Sequence, residues 1–173
     1  MEQSKSCMLE IVKYPDPILL TECAEVSFPL SQADQDLIQQ MIDTIEAVEG
    51  AGLAANQVGV SKKICVIKMI QKHRRVKGDY LVLINPKIIM ESAVRCWFPE
   101  GCLSLPGKFY YVERPCNVVV QYQDEQGKLK ELQASKFLSS QIQHEVDHLY
   151  GVFYTSKAKQ EIPESELEPV AAE

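Results

Sequence analysis

Apolar residues recur at intervals of three and four in the first third of the chain, at Leu37, Ile38, Met41, Ile42, Ile45 and Val48. That spacing lays a single apolar stripe along about four helical turns, with Ser31 or Asp34 as the N-cap. A packing helix is predicted there. The preceding "IVKYPDPILL" reads as extended or turn-like, because Pro15 and Pro17 each lack a donor and push the residue before them away from helix. The helix is expected to stop at "EGAG", where Gly50 and Gly52 widen the conformations open to the backbone.

Beyond that point the pattern shortens. "KKICVIKMI" (62–70) and "YLVLINP" (80–86) are apolar and β-branched, with the charged "QKHRRVKGD" between them, so two strands joined by a solvated loop are predicted. His73 in that loop reads as a surface residue rather than a ligand. "KIIME" (87–91), "YYVERP" (110–115), "NVVVQYQ" (117–123) and "GKLKELQ" (127–133) predict further strands, with "DEQG" turning between the last two. Helical spacing returns from about Ser135 in "SKFLSSQIQHEVDHLYG", and Gly151 supplies the stop. The order is α+β rather than alternating βαβ.

With 173 residues, 46% of them hydrophobic, the chain can build one core, and residues 1–160 are expected to form a single catalytic domain. Residues 161–173 carry five glutamates, two prolines and no basic residue, which predicts an acidic, mobile tail. A net charge of −6 argues against a general nucleic-acid or anionic-membrane surface. No apolar run approaches a bilayer span, and "MEQSKSCMLE" lacks the apolar centre of a signal peptide, so a soluble, unexported protein is expected. Cys7, Cys23, Cys65, Cys96, Cys102 and Cys116 show neither a disulfide framework nor a CxxC pair. A reducing compartment fits, with most of these thiols serving as small buried hydrophobes.

The chemistry lies in three segments. In "QHEVDHLYG", His144 and His148 are one helical turn apart, so both imidazoles can reach one divalent ion, and Glu145 stands one position round as a general base. A solvated helix in which these residues coincide is the alternative. A catalytic ion needs a third protein ligand and an open position. Among carboxylates and cysteines, Cys102 in "FPEGCLSLPG" stands out, since Pro99, Gly101 and Pro106 suggest a shaped loop rather than a core strand. In "EGAGLAANQVG" the small residues Gly50, Ala51, Gly52, Ala54 and Ala55 let a substrate backbone approach, and Gln57 can donate to a carbonyl oxygen. A tight packing turn would explain the same residues.

Taken in order, "GAGLAANQ", "EGCLSLPG" and "QHEVDHLYG" resemble the three motifs of the peptide deformylase family, and the resemblance spans about residues 9–155, including the early "YPDPIL". It implies antiparallel strands around a central helix that carries HExxH and binds metal. Cys102, His144 and His148 would hold one divalent ion, Fe²⁺ characteristically, with Zn²⁺ or Ni²⁺ able to take the same ligands. Glu145 would be the general acid/base, while Leu103 N–H and Gln57 would stabilise the oxyanion. Gly50, Ala51 and Gly52 would line the substrate cleft on one side, with Gly52 bonding the substrate backbone. Glu100, Gly101, Phe137, Ser140 and Gln141 would line the other. Arg114 would pair with Asp147 and hold the metal helix in register.

The implied reaction is removal of the N-formyl group from the N-terminal methionine of newly made polypeptides, in a bacterial-type cytoplasm or an organellar matrix. Transient proximity to the ribosome is implied, but neither DNA nor membrane binding. Two features depart from the family pattern. Ser140 and Gln141 stand where many relatives carry apolar or small residues near the methionine pocket, so either both turn to solvent or the pocket is narrower and more polar. The acidic tail would repel ribosomal RNA rather than dock on it. HExxH also permits a zinc peptidase, and an inactive metal-retaining relative acting as a binding protein is a third reading; Cys102 as a ligand separates the first from the second.

Overall fold

The computed structural model describes residues 8–69 and 79–166. His73, Cys7 and most of the basic loop lie outside them. Among the described residues, eight strands form two antiparallel sheets, with two α-helices packed against them. The first helix, α1 (Gln32–Ala47), starts at Ser31, whose hydroxyl accepts from Asp34 N while the Asp34 carboxylate accepts from Ser31 N. This reciprocal cap satisfies two donors that a helix start leaves open. Leu37, Ile38, Met41 and Ile45 are buried as the stripe requires, but Val48 is the C-cap and 37% exposed. The stop also differs from expectation. The left-handed residue is Glu49 (φ 53°), not Gly50 or Gly52.

The five-stranded sheet runs β1 (Gly52–Ala54), β2 (Ile64–Lys68), β3 (Tyr80–Glu91), β6 (Asn117–Gln123), β7 (Leu129–Ser135) in spatial order. Its centre is covered on both faces, and β2 shows why "ICVI" has no polar interruption. Cys65 and Ile67 pack with Ile142, Val146 and Leu149 of the second helix, α2 (Lys136–Leu149), while Ile64 and Val66 pack with α1. Alternate side chains of a strand point to opposite faces, so a strand covered twice must be apolar throughout. "YLVLINP" and "KIIME" are one strand rather than two, because β3 continues through register shifts near Asn85 (φ 49°).

The second sheet holds β4 (Arg95–Cys102), β5 (Leu105–Pro115) and β8 (Ala158–Ile162) in that order. Cys102 therefore ends a strand, where the sequence suggested a loop. Pro99 misled that reading: β4 is an edge strand, and proline is tolerated where no partner asks for its missing N–H. Cys96 and Cys116 form a disulfide, against the expectation of thiols throughout; pairing of Cys96 with Arg114 across β4 and β5 leaves the Cys96 and Cys116 Cα atoms 5.1 Å apart. The acidic segment also does not begin as a tail. Glu161 and Ile162 belong to β8, with Ile162 paired to Phe109 and buried. No helix among the described residues is long and apolar enough to cross a membrane.

Candidate active site

Helix α2 touches both sheets, and the site forms where its middle meets β1 and the β4–β5 turn. His144 and His148 lie on one face of α2, with ring centroids 4.9 Å apart. The end of β4 brings Cys102 to them. Its Sγ is 3.3 Å from His148 Nε2, and one donor atom from each of Cys102, His144 and His148 lies within 4.8 Å of the others. Four-coordinate zinc, with Zn–S near 2.3 Å and Zn–N near 2.0–2.1 Å, places S and N ligands roughly 3.5 Å apart, which the Cys102–His148 pair matches at 3.3 Å.

The partners of each imidazole decide which nitrogen is available. His144 Nδ1 is 2.9 Å from Glu100 Oε2, leaving Nε2 for the cavity. Burial opposes a proton on His144, but Cys102 and Glu100 outweigh it and raise its pKa well above the usual value. The acceptors that favour a proton there equally favour a divalent cation in its place. Burial, helped by His144 and Arg114, pushes His148 well down, which keeps it neutral and able to ligate. Asn56 Nδ2 donates to the His148 carbonyl at 2.6 Å, and the rings of Tyr154 and Phe153 pack on His144 and His148 respectively.

Glu145 is 6% exposed, and its Oε2 has no partner among the described residues. Burial carries its carboxyl up to about 7; His144 opposes the rise and the Glu100 carboxylate adds to it. Gly52 explains how the carboxyl fits, since a Cβ on that residue would stand 2.6 Å from Glu145 Oε1. Gln57 is held by its own Oε1, which accepts from Ala54 N at 2.9 Å; its Nε2 is 3.4 Å from Cys102 Sγ and 3.2 Å from Ser104 Oγ. Leu103 follows Cys102 in the turn and lines the same cavity, of about 460 Å³.

Residues placed on the substrate walls separate in the structure. Gly50, Ala51, Gly52, Gly101 and Phe137 line the cavity. Glu100 lines it too, but its carboxylate is engaged by Arg114, His144 and Ser140. Burial works against that charge, yet the bonds from His144 and Arg114 win and bring Glu100 down to about 2. Ser140 is buried, whereas Gln141 is half-buried, lines the cavity and reaches Ala51 O at 3.5 Å. Arg114, 1% exposed, bridges Glu100 to Asp147 (2.7 Å), and Lys157 caps Asp147 from outside at 2.7 Å. Ser104, Asn56, Tyr154 and the Glu100 contacts carried no signal of their own in the sequence. "AANQ" inside the first motif and "VFYT" just after the third were the nearest clues.

The polypeptide deformylase family matches residues 8–163. The chain belongs to that family. A peptide deformylase of Bartonella tribocorum is 40% identical over 161 residues, covering 90% of this chain and 88% of its own. Peptide deformylase 1 of Bacillus cereus is 39% identical over 161 residues, with 93% and 99% covered. Among solved structures, the class I type b peptide deformylase of Acinetobacter baumannii bound to Met-Ala-Ser superposes with a TM-score of 0.81 at 32% identity, covering 88% of this chain and 99% of that one. Deformylases are metal-dependent, and a thiolate with two imidazoles is a donor set suited to such an ion.

Proposed function

We propose that this peptide deformylase removes the N-formyl group from the N-terminal methionine of newly synthesised polypeptides and releases formate, with Cys102, His144 and His148 holding one divalent ion on the central α2. The observation that carries the residue assignment is the meeting of those three ligand atoms within 4.8 Å beside the unpartnered, buried carboxylate of Glu145. Met-Ala-Ser, bound by the Acinetobacter relative, has the chemistry of a deformylated product and supports the same substrate class here.

When bound, the ion supplies Lewis acidity, drawing electron density from the formyl oxygen and making water a stronger nucleophile. Fe²⁺ is the ion proposed, with Zn²⁺ and Ni²⁺ compatible with the same ligands. Water adds to the formyl carbon, the C–N bond breaks, and the amine nitrogen takes a proton as formate leaves. Glu145 moves that proton: its carboxylate accepts from the attacking water and its acid form donates to the leaving amine. Burial favours the acid form of this carboxyl, opposing the pull of nearby positive charge, which suits a group that both takes and gives a proton. Negative charge grows on the formyl oxygen, where Gln57 Nε2 and Leu103 N–H act as donors fixed in advance, each worth ~10²–10³ in rate.

The free edges of β1 and β4 flank the cleft, so the substrate backbone can lie between them with Gly52 as one hydrogen-bonding partner. One catalytic domain performs the reaction, in a cytoplasm or organellar matrix where formylated nascent chains are met in solution or near the ribosome. Formate release from formyl-Met-Ala-Ser by protein loaded anaerobically with Fe²⁺ tests the assignment. Turnover that disappears in Glu145→Gln at unchanged metal content is expected; no release with either Fe²⁺ or Zn²⁺ loaded overturns it.

A further inference from the structure

Ser140 lines the catalytic cavity, where a hydroxyl would make the wall polar toward a substrate side chain. Its hydrogen is used elsewhere. Ser140 Oγ donates to Glu100 Oε1 at 2.9 Å, and the two residues are 3% and 7% exposed. Ser140 precedes His144 by one helical turn, so hydroxyl and imidazole share a face of α2 and reach the same carboxylate. Glu100 thus receives Arg114 Nε and Ser140 on Oε1, and Arg114 Nη2 and His144 Nδ1 on Oε2, both at 2.9 Å.

A carboxylate offers about four lone-pair sites, and here each has a donor. Three of the four donors belong to groups with other fixed contacts: Arg114 is anchored at Asp147, and Ser140 is part of the α2 backbone that also carries His144. With every site filled, rotation of the Glu100 carboxyl would break bonds at both oxygens. Without the Ser140 hydroxyl, Oε1 retains Arg114 alone, and the carboxyl is freer to turn, taking with it the Oε2 atom that orients His144.

We infer that Ser140 is a positioning residue for the metal centre, locking Glu100 so that His144 Nε2 faces the ion, and is not a polar selector for the first side chain of the substrate. This rests on the assignment of Cys102, His144 and His148 as metal ligands. Residues that orient a ligating histidine typically change metal affinity 10–100-fold when removed, and a residue one bond further out belongs near the lower end of that range.

The test uses full-length, Zn²⁺-loaded protein and follows zinc release to a coloured chelator in wild type, Ser140→Ala, and the near-isosteric pair Ser140→Thr and Ser140→Val. Comparison within that pair reads the hydroxyl even where added bulk disturbs both. Release about 10-fold faster in Ser140→Ala, and faster in Ser140→Val than in Ser140→Thr, is expected. The Ser140→Ala effect should vanish in a Glu100→Gln background, because the double-mutant cycle isolates the pair. With metal saturating, the ratio of kcat/KM for formyl-Met over formyl-Ala peptides should stay as in wild type. Equal zinc release in wild type and Ser140→Ala overturns the proposal, as does a selectivity ratio that moves 10-fold while release does not. Failure of wild type itself to bind one zinc per chain overturns the ligand assignment beneath it, and is told apart because every variant then behaves alike.

Discussion

The two faces of the five-stranded sheet are covered by helices of similar length that do opposite work. On the α1 face, Leu37, Ile38, Met41 and Ile45 meet Leu53, Ile64, Val66 and Ile84 in an apolar contact, edged by the Lys68–Glu46 ion pair at 3.0 Å. On the other, α2 spends Ile142, Val146 and Leu149 on the sheet, turns His144 and Ser140 toward Glu100 and His148 toward Cys102 of the second sheet, and seats Glu145 against Gly52. α1 buries one charge, Asp34, paired to Lys62 at the helix start; α2 buries several and leaves Glu145 Oε2 without a partner among the described residues. The contrast teaches that the α1 layer can support a polar centre that would not stabilise itself, since desolvating charges offsets much of what their pairing returns.

The comparison can be broken most sharply at Glu145. Glutamine there should lower kcat for formate release by ~10²–10⁴ while the thermal midpoint stays level or rises, because a buried, unpartnered carboxylate oxygen is removed. A fall in stability alongside activity would show that Glu145 also holds the fold. Next in size is Arg114→Met, which strands Glu100; a loss of ~3–5 kcal/mol in denaturant unfolding and faster metal loss are expected together.

Met41→Ala probes the other face. It should cost ~2–5 kcal/mol in denaturant unfolding, yet leave kcat per folded, metal-loaded molecule unchanged, since Met41 belongs to the α1-side core and does not line the catalytic cavity. A comparable drop in kcat would mean the faces are coupled through the sheet. The smallest effect concerns acid. Hydrogen bonds from Lys62 and Ser31 hold Asp34 below its ordinary pKa. Its stabilisation is present above the unfolded-state value, near pH 4, and is lost as pH falls through the lower folded-state value. Asp34→Asn should therefore cost ~1 kcal/mol at neutral pH and flatten the acid limb of a pH–stability curve measured on metal-free protein.

The same contrast governs what could be read from the residues alone. α1 was legible because its contact is one-sided, and one-sided contact writes a 3.6-residue period; β6 was legible to the residue because Val118, Val120 and Tyr122 alternate inward. The triad Cys102, His144 and His148 stood out through residue type and motif order, with no need for the strand that delivers the cysteine. β4 escaped because Pro99 and Gly101 suit an edge strand as well as a loop. Glu100 was taken for a wall of the cleft, since nothing local says that the Arg114 side chain, fourteen residues on, reaches back across the hairpin to both of its oxygens. Cys96 and Cys116 escaped for the same reason: their meeting depends on hairpin register, which spacing does not encode.

Gly52 gives the Glu145 carboxyl its seat by lacking a single carbon. For inhibitor design the consequence is practical. A compound that anchors on the Gly52 backbone grips a spot where resistance by enlargement is self-defeating, because the methyl group that would dislodge the drug would also displace the Glu145 carboxyl, the proposed proton carrier.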